Sequence, residues 1–378
     1  NTPATTAGPG SVTLVDGHAL AFRSYYAIRQ LTNSRGRSVN AVYGFLRSLL
    51  RLLAEDGPAD ATVVAFDAPG ATFRHEQYEE YKAGRAPTPD DLKEQIDTIR
   101  EAVRLLGVHQ IEVPGLEADD IIGTLATRCA EQGCTVEIVT SDRDAYQLVG
   151  ERVSVRGLDR NDRTGPADIV EKYGVTVEQW VDYRALIGDS SDNIPGARGI
   201  GPVTASKLLS RYGTLDYVLD NLDDIKPPGA AKKIRESLED VIFSRELSEI
   251  VVDADLECTP EEWAVLKPSE EELKELLLEL EFHSILTELG LNEQVRYEDA
   301  PWPHPDPGAA IGFVLDSESA LLGDLTDLAA AADGKVAVAD DPASALAGLG
   351  EGGPVNAVNA KAFVVSAAAH DVQLEPGD

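Results

Sequence analysis

The stretch EADDIIGTLATRCAEQGCTVEIVTSDRD (117–144) decides how this chain folds. Its first half has the apolar spacing of a helix, expected over Asp120 to Ala130. Val136 to Thr140 is a short, β-branched run that reads as a buried strand. Acids stand at the helix start (Glu117, Asp119, Asp120) and just past the strand (Asp142, Asp144). A helix feeding a strand is half of a parallel α/β layer, and such layers bind ligands beyond the carboxyl ends of their strands.

Upstream, the same grammar repeats. Val12 to Val15 is an apolar strand followed by Asp16, and Ala61 to Phe66 is another followed by Asp67. Helical stripes run over Val39 to Leu53 and Leu92 to Leu106. The βαβα order predicts a mostly parallel sheet covered by helices. After Gln179 the texture turns helical, at Val181–Ile187, Thr204–Leu209, Ala230–Glu239 and Glu270–Leu289. The run EDAPWPHPDPG (298–308) reads as a linker, and IGFV, VAVA and AFVV beyond it suggest strands. The expected organisation is a tail over 1–10, an α/β core over 11–178, a helical region over 179–291, a linker over 292–308 and a partial α/β unit over 309–378.

No apolar run is long enough to span a membrane, and the N-terminus has no positively charged lead. Cys129, Cys134 and Cys258 form no CxxC pair, and the six histidines are scattered, which argues against zinc. These features point to a cytoplasmic protein. The net charge of −33 alone argues against a nucleic-acid partner. Carboxylates gathered to hold cations would account for part of it, because bound ions reverse the local sign.

The acids are arranged rather than spread. An Asp after one strand is commonly a turn or helix cap; three strands ending this way deliver acids to one rim. Glu117, Asp119 and Asp120 exceed what a helix dipole asks for. Asp189 and Asp192, in GDSSDN, follow the apolar run YRALI. Asp16, Asp67, Glu117, Asp119, Asp120, Asp142, Asp144, Asp189 and Asp192 are hard oxygen ligands without His or Cys, which suits two Mg²⁺ or Mn²⁺ ions. The loop pattern of a calcium-storage hand is missing.

Two segments have the residues to meet a polyanion. In GATFRHEQYEEYKAGRAPTPDDLK (70–93), Arg74, Lys82 and Arg85 alternate with Tyr78 and Tyr81, although the glutamates between them also fit a solvated helix. IPGARGIGPVTASKLLSRYG (194–213) is a helix–hairpin–helix pattern in which Gly199, Ile200 and Gly201 turn their N–H groups toward a phosphate, with Arg198 and Lys207 nearby. An ordinary helix connection is the plainer reading of that turn. No GxxxxGK[ST] loop is present, so nucleotide triphosphate binding is not supported.

LVDGHALAFRSYYA, NAVYGFLRSLL, VAFDAPGATFRHEQYEEYKAGRAPTP, EADDIIGTLA, VTSDRD, GDSSDNIPG and GIGPVTASKLL together resemble, in order, the 5′ nuclease domain of bacterial DNA polymerase I, over about Ser11 to Leu291. The resemblance implies a PIN-like core, a flap endonuclease and 5′–3′ exonuclease activity, two divalent ions on the acids above, and a helical arch built around Arg74 to Arg85. It also implies a monovalent cation such as K⁺ at the hairpin, DNA with a 5′ flap or frayed end (RNA-primed ends included) as substrate, a monomeric enzyme near the nucleoid, and a polymerase domain downstream. Pro202 and Val203 replace a usual acid–Lys pair, which puts one phosphate contact in doubt. The tail resembles the opening of a degenerate 3′–5′ proofreading domain. Asp316-Ser317-Glu318 stands where a DxE pair would fall, but chance spacing explains it better, and VNAKAFVVSAAAH (358–370) lacks the acid of a later motif.

The expected mechanism is phosphodiester hydrolysis. Asp16, Asp67, Glu117, Asp119 and Asp120 serve one ion; Asp142, Asp144, Asp189 and Asp192 serve the other. Lys82 and Arg85 act as catalytic cations, and Arg23 and Arg74 guide the 5′ strand. The rivals are a PIN-class ribonuclease, a non-catalytic DNA-junction module, and a merely solvated acidic surface.

Overall fold

The computed structural model describes residues 10–54, 59–158, 163–256, 258, 263 and 268–291, and strand segments between 298 and 357. Six strands form the first sheet: β1 (Ser11–Asp16), β2 (Ala61–Ala65), β3 (His109–Ile111), β4 (Thr135–Val139), β5 (Val153–Arg156) and β6 (Arg163–Thr164). Their order is β3-β2-β1-β4-β5-β6. The first five run parallel, and β6 alone is antiparallel, against β5.

The central strands are apolar on both sides because both faces are covered. Val12, Leu14, Val63, Val136 and Ile138 face one core. There they meet the Ala118–Glu131 helix and the helical region, through Ile121, Leu125, Trp180 and Leu208. Val15, Val64 and Val139 face the other core, against Phe45 and Leu49 of the Asn40–Ala54 helix and Ile99 and Val103 of the Asp90–Leu105 helix. Leu273, Leu277 and Ile285, from the Glu270–Glu279 and His283–Glu288 helices, join this second core. Helices from the second half of the chain thus seal both faces. Each such fully buried aliphatic residue contributes about 1.5–3 kcal/mol.

The expected helices and strands are present, with four differences. Asp16 is followed directly by a helix, Gly17–Ala27, which the weakly periodic GHALAFRSYYA did not signal. Strands β3, β5 and β6 are too short for their patterns to register. The Ala230–Glu239 run breaks at Ser237, into Pro228–Glu236 and Leu238–Ser248. The Glu270–Leu289 run breaks because Glu281 takes φ 62° and turns its carboxylate back onto the Ser34 N–H at 2.9 Å, while Phe282 is buried.

The chain divides into two compact units, 1–291 and 292–378. In the second, β7 (Glu298–Asp299), β8 (Ala310–Leu315), β9 (Leu325–Ala332), β10 (Lys335–Val338) and β11 (Asn356–Ala357) form a sheet of order β11-β8-β9-β10-β7. IGFV lies in β8, and VAV of VAVA in β10. The first two residues read as linker, Glu298 and Asp299, instead pair with Lys335 and Val336. The tail over 1–9, the AFVV run, Asp316, Glu318 and the 358–370 stretch lie outside the described residues. No described helix is long and apolar enough to cross a membrane.

Candidate active site

At the carboxyl ends of β1, β2 and β4, a cleft of about 1050 Å³ opens. Asp16, Asp67, Asp119 and Asp142 line it, with Glu117 and Asp189, under Lys82 and Arg85. Each acid is held by the element that delivers it. Asp16 ends β1 and caps the next helix, accepting from the Ala19 N–H at 2.8 Å and the Thr140 hydroxyl at 2.8 Å. Asp67 accepts from the Ala118 N–H at 2.7 Å, at the start of the Ala118–Glu131 helix, and its own N–H donates to His18 Nδ1 at 3.1 Å. The Asp142 N–H donates to the Thr140 Oγ at 3.0 Å, and Asp142 accepts from the Asp144 N–H at 2.8 Å.

The chain's own cations hold the remaining acids. Lys82 meets Glu117 at 2.5 Å. Arg85 pairs with Asp192, donating from Nε at 3.1 Å. Arg184 lies between Asp144, at 2.5 Å, and Asp189. Asp189 also accepts from the Ser191 N–H at 2.7 Å, which closes the GDSSDN turn. That turn needs its glycines. Gly188 has φ 69°, and a Cβ there would fall 2.5 Å from the Ile194 carbonyl oxygen. Gly188→Ala is therefore expected to displace Asp189 and destabilise the fold by about 1–3 kcal/mol, read as a lower melting temperature.

The unpaired acids hold their protons unusually well. Burial, then the charges of Asp67 and Asp142, pushes the Asp16 carboxyl up to about 6, against the partial relief of its two hydrogen bonds. Burial, then Asp142 and Asp16, holds Asp119 well above the carboxylate range. Asp144 rises to about 7, through burial and then Asp142. Among the described residues no three ligating groups converge ready-made on one point. The donor set still suits a hard divalent cation: carboxylates only, crowded so that each raises its neighbours' affinity for positive charge.

The sequence and fold can now be set against known proteins. A family model described as the 5'-3' exonuclease N-terminal resolvase-like domain matches residues 11–174, and one described as the 5'-3' exonuclease C-terminal SAM fold matches 175–271. A third, described as Taq polymerase exonuclease, matches 297–378. This chain belongs to the 5′–3′ exonuclease family. The exonuclease is 48% identical over 370 residues to the thermostable DNA polymerase I of Thermus thermophilus, covering 98% of this chain and 43% of that protein. It is 46% identical over 361 residues to the DNA polymerase I of Deinococcus radiodurans, covering 86% of this chain and 37% of that protein. The chain thus spans less than half the length of these relatives. Its fold is shared with a zinc-bound T5 5′-exonuclease (TM-score 0.53, 23% identity, 71% of this chain and 99% of that one). It is shared too with the catalytic core of Rad2 in complex with DNA substrate (TM-score 0.53, 17% identity, 75% and 92%).

The exonuclease fold gathers most of the expected site residues and withholds others. Asp120 does not face the cleft: it is fully buried and grips Arg74 through two bonds of 2.7 and 2.8 Å. Arg74 is no strand guide as placed, since its guanidinium also donates to Glu117 at 3.1 Å and to the Leu247 and Glu249 carbonyls. Tyr81, 5% exposed, donates its hydroxyl to Glu117 at 3.0 Å and offers no face to a base. Tyr78 packs edge-on against Phe243. Asp144 and Asp192 lie behind Arg184 and Arg85 rather than on the cleft wall. The segment expected as a helical arch is a short helix, Phe73–Gln77, followed by turns, because these ion pairs and Tyr81 tie it to the acids. Arg23 is exposed on the helix that presents Phe22 and Tyr26 to the cleft, without itself lining it.

The hairpin turn is present, with Gly199 at φ 82°. Its Gly199 carbonyl already accepts from the Lys233 ammonium at 2.9 Å, which occupies that oxygen where K⁺ was expected. Ile200 is buried, Lys207 is exposed, and the Arg198 N–H donates to Ser237. The sequence reading missed His18, Ser141, Arg143 and Arg184, all on the cleft wall. Only Arg184 carried a signal: an arginine inside the apolar YRALI run implies a buried acidic partner.

Proposed function

We propose that this chain is a divalent-metal-dependent 5′ nuclease that hydrolyses phosphodiester bonds in DNA bearing a 5′ flap or frayed end, RNA-primed ends included. The observation that carries the reading is the convergence of Asp16, Asp67, Asp119 and Asp142 on one cleft beneath Lys82 and Arg85. Those four acids, with Glu117 and Asp189, would hold two Mg²⁺ or Mn²⁺ ions. Bound there, such ions supply an activated water and neutralise charge on the phosphoryl oxygens.

The protein's part is to aim and to balance charge. Thr140 and the Ala118 N–H fix the Asp16 and Asp67 carboxylates. Lys82 and Arg85, held over the cleft by Glu117 and Asp192, offer positive charge to the scissile phosphate. The turn at Gly199–Gly201 grips the duplex and sets the distance to the cut. The products are a 5′-phosphate and a 3′-hydroxyl, and a single copy of the chain carries every group named.

The test is a labelled 5′-flap DNA offered beside a single-stranded RNA. Cleavage of the flap in Mg²⁺, abolished by EDTA and restored by excess Mg²⁺, is the expected result. Cleavage of the RNA alone would reassign the chain to a ribonuclease, and tight flap binding without cleavage would leave only a junction-binding module.

A further inference from the structure

Beyond Arg143 and Arg184, which form part of the cleft wall, a second recess of about 450 Å³ opens toward the hairpin. Arg143, Lys172, Arg184 and Lys207 line it, and no acid does among the described residues. In a chain of net charge −33, four cations around one hollow without a carboxylate is a marked local inversion. Arg184 is neutralised by Asp144 and Asp189. Arg143, Lys172 and Lys207 are exposed and enter no ion pair among the described residues.

The hollow is built rather than incidental. The Pro166–Tyr173 and Pro202–Tyr212 helices are drawn together at Gly174, whose carbonyl accepts from Ser206 at 3.2 Å and Ser210 at 3.0 Å. Gly174 has φ 69°, and a Cβ there would lie 2.6 Å from the Ser206 hydroxyl, so only glycine allows the approach. Trp180 and Tyr173, 4.9 Å apart edge to face, make a rigid wall, and the Lys172 ammonium stands 5.3 Å over the Tyr173 ring. The positive end of the Pro202–Tyr212 helix supplies Pro202 and Val203 on the far side, and Val203 is 69% exposed.

We infer that this recess is a phosphodiester subsite, in which Arg143, Lys172 and Lys207 hold the backbone of the duplex between the carboxylate cleft and the hairpin. The inference rests on the nuclease reading and adds to it the residues that carry affinity away from the cut. Exposed ammonium and guanidinium groups act here through counterion release, so the effect is on affinity and its salt dependence rather than on sequence preference.

The experiment is an anisotropy titration of a fluorescent 5′-flap duplex with the chain, in Ca²⁺, at several KCl concentrations. Lys172→Ala/Lys207→Ala should bind roughly tenfold more weakly, with a log–log salt slope shallower by about two. Arg104→Ala, which removes a charge paired with Glu101 and Glu272, should keep the wild-type slope. Val203→Lys adds a charge at an exposed position on the same recess, so it should tighten binding several-fold and steepen the slope by about one. Wild-type affinity and slope in the double variant, or no gain in Val203→Lys, would overturn the subsite. Displacement of the duplex by inorganic phosphate at constant ionic strength would make it a free-anion site and would overturn it too. A wild-type chain that cuts the flap while the double variant keeps its slope refutes the recess alone; a wild-type chain that neither binds nor cuts refutes the nuclease reading with it.

Discussion

Asp16→Asn is expected to stabilise the metal-free protein at pH 7.5 while lowering flap cleavage on the order of 10³-fold. The folded carboxyl keeps its proton up to about 6, against an ordinary value of 3.8. Between those pH values the folded state binds more protons than the unfolded one. The contribution of Asp16 to stability is therefore fully present below pH 4 and is lost as pH rises through 6. Above that, the buried charge costs about 3 kcal/mol. Asparagine is neutral at every pH and keeps an oxygen for the Ala19 N–H, while the Thr140 hydroxyl must turn to accept. Part of the gain is lost in that rearrangement, which leaves about 1–3 kcal/mol, or a rise of roughly 3–8 °C. Melts in EDTA at pH 4 and 7.5 measure it: the variant should exceed the wild type only at the higher pH. Added Mg²⁺ should then raise the wild type and leave the variant nearly unmoved. A variant less stable than the wild type at pH 7.5 in EDTA would show that Asp16 is not strained by burial.

Arg74→Ala should unfold the site from behind. Arg74 is 3% exposed and its five nitrogen-borne contacts reach Asp120, Glu117 and two carbonyls. Removing it leaves Asp120, with no exposed surface, as an unpaired buried charge. Breaking such a pair from one side costs about 3–5 kcal/mol, or roughly 10 °C in a unit of this size. Lysine is no remedy, since one ammonium cannot replace a fork that bonds four groups at once. Thermal and urea melts decide it. An unchanged melt with weakened DNA binding would return Arg74 to the path of the 5′ strand.

Arg74 also shows where sequence reasoning runs out. Arg74, Lys82 and Arg85 lie within twelve residues and look alike as cations. One is buried under the acids and two line the cleft, and nothing in their spacing separates them. Glu117, Asp119 and Asp120 divide in the same way. They share the first turn of one helix, yet Asp119 faces the cleft and Asp120 faces Arg74. A helix rotates about 100° per residue, so neighbours in sequence point to different partners.

The strand ends were legible because a strand carries its own evidence. Apolar runs at Val12–Val15, Ala61–Phe66 and Val136–Thr140 announce burial on both faces, and an acid after each must emerge at the same edge of a parallel sheet. That reasoning located Asp16, Asp67 and Asp142 on one rim without any coordinates. The arginine and lysine partners of the other acids were not legible. Arg184 meets Asp144 across forty residues, and Arg85 meets Asp192 across more than a hundred. Local pattern determined which elements form and which ends carry charge. Only tertiary packing decided which charges cancel one another and which remain facing the cleft, because pairing depends on distance in space, and the chain fixes that only once both faces of the sheet are covered.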